Sequence, residues 1–151
     1  MSGVLDSALV ERARLCYNKR VTTNTLVNVG LVAAGGGLGA AARFGLSLML
    51  QRVSLTMPYG TLAANCAGCF IMGVLAALVA RELPLTPATR LFLATGFCGG
   101  LTTFSSFIYE LHQFVSAREV FYGTLYVLAS FGGSAVAFIF GLLLIELCVR
   151  H

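Results

Sequence analysis

The stretch GFCGGLTTFSSF (residues 96–107) combines glycines, hydroxyl side chains and phenyl rings within a single uncharged run. That run covers residues 91–109, about the 20 residues that a helix needs to cross a bilayer. Hydrocarbon cannot satisfy free backbone N–H and C=O groups, so a membrane helix can break only where protein or a polar cavity surrounds the break. The stretch therefore predicts a broken membrane helix beside a path for an ion or substrate.

Three further uncharged runs accompany this one, over residues 21–42, 53–80 and 120–145. A chain that is 58% hydrophobic and only 11% charged is typical of a membrane protein. We predict an all-α membrane protein with a break in the third helix. The four transmembrane helices are expected near residues 26–50, 59–80, 89–114 and 120–146. Pro58, Pro84 and Pro87 fall at the predicted borders, where a missing amide N–H is best tolerated.

Residues 1–25 precede the first predicted span and form either a tail or an interfacial helix, while residues 26–150 form the four-helix transmembrane domain. The uncharged run 21–42 exceeds the roughly 7 to 15 apolar residues of a signal peptide, which favours a retained span. Within the first segment, Leu5, Leu9, Ala13 and Cys16 fall near one face of a helix. An interfacial helix and an unstructured tail both remain open.

The arginines and lysines flank the spans and do not form one basic stripe, so the net charge of +4 does not indicate a nucleic-acid partner. Seven lie on the N-terminal side of the membrane in this topology, namely Arg12, Arg14, Lys19, Arg20, Arg81, Arg90 and Arg150. Two lie on the other side, Arg52 and Arg118. This asymmetry favours a cytoplasmic N-terminus. Without residues 1–25 the balance is three against two, weak enough for the helices to insert in either orientation.

The cysteine pair and the glycine-rich stretches are best interpreted as packing features. Cys66-x-x-Cys69 lacks the second pair of ligands that a zinc site needs, and the only histidines are His112 and His151. The cysteines are therefore interpreted as small apolar packing residues. Glycines 35 and 39 with alanines 40–42 predict a face for close helix packing, and glycines 132 and 133 predict a second one.

No catalytic arrangement is visible within the predicted spans. An intramembrane enzyme would need a nucleophile with a base, a carboxylate pair or a histidine-rich metal motif. Arg43 and Glu110 are the charges that membrane depth makes costly, although Glu110 lies near a helix end where extension to the interface is the simpler interpretation. We predict that the protein is not an enzyme.

Polar and aromatic residues inside the spans each admit two interpretations. Asn65, in the second helix, can donate its amide N–H groups to an anion or link two helices. Phe104 and Phe107 are three residues apart and share a helical face, where they either pack in the core or turn the positive edges of their rings towards an anion.

In order and spacing, three blocks of residues resemble the Fluc (CrcB) family of fluoride channels, and the resemblance extends over nearly all of residues 30–147. The first block is Gly36-Gly37-Leu38-Gly39-Ala40-x-x-Arg43-Phe44, and the second is Pro58-Tyr59-Gly60-Thr61-Leu62-x-x-Asn65-x-x-Gly68-x-Phe70-x-x-Gly73. The third is the stretch from Gly96 to Phe107. Ser106 departs from the threonine and Cys69 from the serine that are frequent in the family, but neither departure removes a needed donor.

The resemblance implies a dual-topology antiparallel homodimer in the inner or plasma membrane, surrounded by lipid, which exports fluoride passively through two pores around a central structural Na⁺. It implies the following roles. Phe104 and Phe107 form an aromatic box, Asn65 is an amide donor, and Ser105 and Ser106 offer hydroxyls. A polar track is formed by Tyr126, Ser130 and Ser134, Glu110 borders the pore, and Arg43 lies at a vestibule. The backbone carbonyls of Gly99 and Thr102 hold the Na⁺. Glycines 99 and 100 are expected to allow the unwinding that frees these carbonyls.

Two other functions and one question of assembly stay open. A proton-coupled exporter of the small multidrug type would also be a four-helix antiparallel dimer, but Glu110 is its only candidate membrane carboxylate. A structural subunit without transport is the other alternative. The positive charges of residues 1–25 oppose dual insertion, so either this segment is translocated in half of the copies or the chain pairs with a distinct inverted subunit.

Overall fold

The computed structural model describes residues 2–51, 57–83 and 85–149, with side chains from residue 24 onward. All of its regular elements are helices, as predicted. They are α1 (Ser2–Leu50), α2 (Tyr59–Ala80), α3, α4 (Phe104–Ser116) and α5 (Val120–Val149). Helix α3 consists of three consecutive pieces, Pro87–Arg90, the π-helical Leu91–Cys98 and Gly99–Leu101.

Within the described part of the chain, four segments are long and apolar enough to cross a membrane: Asn24–Leu50, Tyr59–Ala80, Pro87–Ser116 and Val120–Val149. Their outer surfaces carry exposed apolar side chains such as Phe121, Leu128, Val136 and Phe140 on α5. Such surfaces are favourable in lipid, where no water needs to be displaced. The prediction of a four-span, all-α membrane protein is confirmed.

The start of α1 differs from the sequence prediction. The helix begins at Ser2 and not near residue 26, so its backbone runs without interruption through the segment that was expected to be separate. The side chains of residues 1–23 lie outside the described residues, and the amphipathic face of Leu5, Leu9, Ala13 and Cys16 with them. A boundary at residue 25 stays a prediction.

The ends of the other helices agree with local sequence signals. Pro58 is the N-cap of α2, and Pro87 occupies the first turn of α3, where no intrahelical bond needs its missing N–H. The Thr86 hydroxyl oxygen accepts a hydrogen bond from the Thr89 N–H at 3.1 Å and so caps α3. Pro84 lies outside the described residues.

Helices α1 and α3 pack backbone against backbone. A Cβ at Gly39 would overlap the carbonyl oxygen of Phe97, and a Cβ at Gly35 would overlap that of Phe92. The contact is reciprocal, because a Cβ at Gly100 would overlap the carbonyl oxygen of Gly36. The small-residue face predicted on the first helix is therefore present at its glycines.

Helices α2 and α5 make a second contact of this kind, but not at the glycines predicted from sequence. A Cβ at Gly73 would overlap the carbonyl oxygen of Phe138, and one at Gly141 would overlap that of Phe70. At Gly132 a Cβ would meet nothing within 4 Å, and at Gly133 it would touch only the Cys66 sulfur at 3.2 Å. The prediction for Gly132 is wrong because the face of α5 that approaches α2 most closely lies further along the helix.

The third span breaks later than the glycines suggested. Gly99 is helical, with φ −62° and ψ −36°, and α3 continues to Leu101. Thr102 (φ −80°, ψ 153°) and Thr103 (φ −150°, ψ 124°) are extended, and α4 starts at Phe104. The expected unwinding at glycines 99 and 100 is thus wrong: both are helical, and Gly100 serves the close contact with α1.

Candidate functional site

The break between α3 and α4 is held by a side chain of α2. The Thr103 N–H donates to Asn65 Oδ1 at 2.8 Å, and Asn65 Nδ2 donates to the Thr103 carbonyl oxygen at 3.2 Å. One carboxamide therefore satisfies both backbone groups of the most extended residue, which hydrocarbon could not do. Of the two interpretations of Asn65, the helix link is present. The amide NH₂ group has two N–H bonds, and this link uses one of them.

The Thr103 side chain caps α4. Its hydroxyl oxygen accepts a hydrogen bond from the Ser106 N–H at 3.2 Å, and its O–H donates to Ser106 Oγ at 3.1 Å. The Ser105 hydroxyl oxygen lies 3.2 Å from Thr103 Oγ1. Sequence reasoning missed Thr103, although a threonine directly before a helical stretch is a known N-cap signal.

An open groove of about 520 Å³ runs along the break. Its lining residues come from α2, α3, α4 and α5 and from the break itself: Asn65, Gly68, Cys69, Met72, Ala94, Cys98, Gly99, Thr102, Thr103, Phe104, Phe107, Ser130, Phe131 and Ser134. Many residues singled out in the sequence meet here. Ser105, Ser106, Glu110, Tyr126 and Arg43 are not among those that line it.

The two phenylalanines share the groove but differ in their surroundings. Their ring centroids are 5.8 Å apart, as expected for neighbours on one helical face. Phe107 is only 4% exposed and packs against the rings of Tyr126 at 5.1 Å and Phe131 at 5.9 Å. Phe104 is 68% exposed and contacts the ring of Phe107 alone among the described aromatic residues. Phe107 is thus a core residue with one side on the groove, whereas Phe104 is free to meet a ligand or another chain.

A stripe of hydroxyl groups on α5 faces the groove at Ser130 and Ser134, one helical turn apart. Ser130 is 7% exposed, and its buried hydroxyl has no partner at hydrogen-bond geometry among the described residues. A buried hydroxyl without a partner is destabilising by roughly 1 to 3 kcal/mol. Its side chain forms part of the groove wall.

Glu110 is half-buried and bound within the helices rather than extended towards the interface. The Thr61 hydroxyl donates to its Oε1 at 2.7 Å, and the Tyr126 hydroxyl donates to its Oε2 at 2.5 Å. Both donors are buried. Thr61 was missed as a partner because the two residues are 49 positions apart in sequence.

A second groove of about 340 Å³ begins at this carboxylate. It is lined by Phe44, Ser47, Leu48, Gln51, Pro58, Gly60, Thr61 and Glu110. Arg43 precedes Phe44 on α1 and is half-buried, and no carboxylate pairs with it in the part of the chain that the structure describes. A vestibule role for Arg43 stays a prediction.

The carbonyl groups at the end of α3 have unusual surroundings. The Thr103 N–H, which would continue the helix by donating to the Gly99 carbonyl, donates to Asn65 instead. The Thr102 N–H and hydroxyl both donate to the Cys98 carbonyl at 2.9 Å. Among the described residues, no group of three or more His, Cys, Asp or Glu side chains could hold a metal ion. Backbone carbonyl oxygen atoms are the ligands that the end of α3 offers to a hard cation.

Residues 30–142 match the family model described as CrcB-like protein, Camphor Resistance (CrcB). The chain belongs to the CrcB family. A relative from Chlorobium phaeobacteroides (strain BS1), named fluoride-specific ion channel FluC, is 47% identical over 117 residues, which cover 78% of this chain and 91% of the relative. The CrcB match extends from α1 into α5 and includes every residue of the groove.

More distant relatives carry the same name. One from Rhizobium johnstonii is 40% identical over 118 residues, which cover 78% of this chain and 94% of the relative. One from Prosthecochloris aestuarii is 40% identical over 114 residues, which cover 76% of this chain and 89% of the relative. The likeness therefore extends over almost the full length of each relative.

Proposed function

We propose that this CrcB-family protein is a fluoride channel, which lets fluoride leave the cytoplasm passively across the inner or plasma membrane. The observation that carries the proposal is the groove at the broken third span, where Asn65 satisfies the backbone and where hydroxyl groups and phenyl rings line the wall. The relatives named as fluoride-specific ion channels support the same function.

The groove offers neutral replacements for the water around an anion. Fluoride is small and tightly hydrated, so conduction needs donors that replace its water without holding the ion too long. The hydroxyl groups of Ser130 and Ser134, the second N–H bond of Asn65 and the ring edges of Phe104 and Phe107 meet this requirement. No lysine, arginine or histidine is among the described lining residues, so a fixed positive charge does not trap the anion.

A second, inverted subunit completes each pore in this proposal. The groove is open in one chain, and the ring of Phe104 projects from it with 68% exposure. An antiparallel partner that covers the groove would exclude water and lipid and add its own donors. Two equivalent pores, each lined by both subunits, follow from the two-fold symmetry of such a dimer. The partner is either an identical copy or a distinct inverted subunit.

The end of α3 fits a sodium ion at the centre of the dimer. Oxygen atoms are the ligands that hard cations prefer. The Gly99 carbonyl has lost its helical donor to Asn65, and the extended backbone of Thr102 turns its carbonyl away from the direction of α3. A bound Na⁺ would supply a positive charge that favours anions nearby. Gly99 and Thr102 are the residues proposed to hold it.

Glu110 is the residue on which the proton-coupled exporter depends. Such an exporter needs a carboxylate that exchanges a proton for its substrate, whereas Glu110 accepts hydrogen bonds from Thr61 and Tyr126 across three helices. This arrangement supports a role in linking α2, α4 and α5. A channel, rather than an exporter, an enzyme or a structural subunit without transport, therefore remains the proposal.

Fluoride efflux from liposomes tests the function directly. The purified protein is reconstituted into vesicles loaded with potassium fluoride, a potassium ionophore is added, and the external fluoride is read with an electrode. We expect rapid efflux without a proton gradient, and slow efflux of chloride because a narrow pore refuses the larger anion. Vesicles that release fluoride no faster than empty ones would contradict the channel. Uptake that requires a proton gradient and is abolished by Glu110→Gln would favour the exporter.

Sodium replacement tests the cation site separately. A bulky organic cation replaces Na⁺ throughout purification and assay. We then expect the fluoride efflux or the dimer fraction to fall, because the carbonyl groups of Gly99 and Thr102 would no longer have a sodium ion to coordinate. The dimer fraction is measured by size-exclusion chromatography with light scattering. Equal efflux and equal dimer fraction in both media would count against the site.

A further inference from the structure

The groove wall contains sulfur as well as hydroxyl groups and phenyl rings. Cys69 and Met72 of α2 and Cys98 of α3 all line it. None of these side chains has a place in the fluoride path described above. We propose that the three form a binding site for a soft monovalent cation, Cu⁺ or its analogue Ag⁺.

The register between α2 and α3 brings these residues together. Asn65 bonds to Thr103, and a Cβ at Gly68 would overlap the Thr102 side chain, so residue numbers rise along α2 as they fall along α3. Met72 and Cys98 lie one turn further along α2 and α3, and both line the groove.

Cys69 lies three residues from Met72 on the same face of α2, and both line the groove together with Cys98. Two helices thus supply the three sulfur atoms.

The ligand chemistry selects the class of metal. Thiolate and thioether ligands favour Cu⁺ and similar soft ions, whereas Ca²⁺ and Mg²⁺ prefer oxygen. Zinc needs about four ligands from cysteine, histidine or carboxylates, and the described part of the chain contains no cluster of even three such residues. Binding involves no change of oxidation state: the metal forms bonds to sulfur, and each coordinating thiol releases its proton to water.

Access and burial are suited to a trapped ion. Cys98 is 3% exposed, Cys69 is half-buried, and Met72 lies at the exposed edge of the groove. Cys66 and Cys148 do not line the groove, and they serve as internal controls.

A bound ion would also obstruct the groove beside Gly99 and Thr102. This consequence rests on the proposed channel function. Binding itself does not, and it can be measured without any transport. The two measurements therefore separate a failure of the metal site from a failure of the channel.

Calorimetric titration with silver nitrate in chloride-free detergent solution measures the binding. A variant with Cys16→Ser, Cys66→Ser and Cys148→Ser keeps only the groove thiols, and the complementary variant with Cys69→Ser and Cys98→Ser keeps only the others. We expect one silver ion per chain to bind the first variant about tenfold more tightly than any site of the second, and Met72→Leu in the first variant to weaken binding several-fold.

Equal affinities in the two variants, or an unchanged affinity after Met72→Leu, would overturn the three-sulfur site. Because Cys98 is buried, Cys69→Ser alone provides the same comparison if the double replacement does not fold.

Fluoride efflux with and without silver nitrate measures the obstruction, with each variant compared with its own silver-free rate. Silver is expected to slow the unmodified protein and Cys66→Ser to the same degree and to leave Cys69→Ser much less affected. Equal inhibition of Cys69→Ser and the unmodified protein would overturn the obstruction.

Discussion

The two halves of the third span, α3 and α4, are held against the neighbouring helices in different ways. In α3, glycines bring the backbone into direct contact with α1. In α4, side chains make the links: the Thr103 cap, the Asn65 bridge and the Glu110 carboxylate connect it to its own start, to α2 and to α5. Backbone contacts at glycines hold α3, whereas hydrogen bonds from polar side chains hold α4.

This difference teaches how a membrane helix can break without loss of stability. Lipid provides no hydrophobic force to hold helices together and no water for free backbone groups. Close glycine packing fixes α3 against α1, so that its end cannot move away. The Asn65 carboxamide then satisfies the extended residue that follows. Replacements that disturb the contacts of α3 should therefore have different effects on folding and transport from replacements that disturb the contacts of α4.

The largest effect is expected in the glycine contact. Gly39→Ala would place a Cβ against the Phe97 carbonyl, and neither backbone can move far without separating the helices. Overpacking of this kind costs about 1 to 3 kcal/mol, and more where the neighbour is backbone. We expect little monodisperse protein in size-exclusion chromatography. Gly37→Ala is the matched control, because a Cβ there meets nothing within 4 Å. Similar yields for both variants would contradict the backbone contact.

Asn65→Ala should have the next largest effect, because it removes the hydrogen bonds between α2 and the start of α4. It leaves the N–H and C=O of Thr103 without partners, at about 1 to 3 kcal/mol for each group. We expect a lower melting temperature and fluoride efflux reduced by about tenfold or more. Thr124→Ala is the control, because the Thr124 hydroxyl donates to the Val120 carbonyl of its own helix and links no other element among the described residues. Efflux and melting temperature equal to those of the control would show that the bridge is dispensable.

Phe104→Ile should have the smallest effect on the fold and a selective effect on transport. The exposed ring of Phe104 contacts little in its own chain, so the melting temperature should change by about 2 °C or less, while the loss of an aromatic edge slows fluoride efflux several-fold. Phe107→Ile should lower both quantities, since Phe107 is packed among Phe104, Tyr126 and Phe131. Identical profiles for the two variants would contradict the division between a pore residue and a core residue.

Much of the architecture followed from sequence because membrane helices obey length and polarity rules. The uncharged runs identified four spans, and the ends of the last three helices agree with the prediction to within a few residues. The start of α1 could not be found in the same way, because the charged residues 11–20 are as compatible with a helix as with a tail.

The candidate site was predictable in its residue types but not in its connections. Asn65, Phe104 and Phe107 were selected as polar or aromatic positions within spans, and all three line the groove. Asn65 and Thr103 are 38 positions apart, and Glu110 and Thr61 are 49 positions apart. Such pairs depend on how the helices are rotated against each other. Glycines 99, 100 and 132 were misread for the same reason: whether a glycine bends a helix or admits a neighbour depends on what lies beside it.

Composition and periodicity by themselves determined that this chain is a bundle of four membrane helices with a weak point in the third, since the bilayer imposes those features on any sequence that must satisfy its backbone there. Only the tertiary structure decided that the break lies at Thr102 and Thr103 and that Asn65 closes it. It also decided which glycines meet a neighbouring backbone. The reason is physical: hydropathy acts on each residue separately, whereas a hydrogen bond or a close contact requires two groups to arrive at one place.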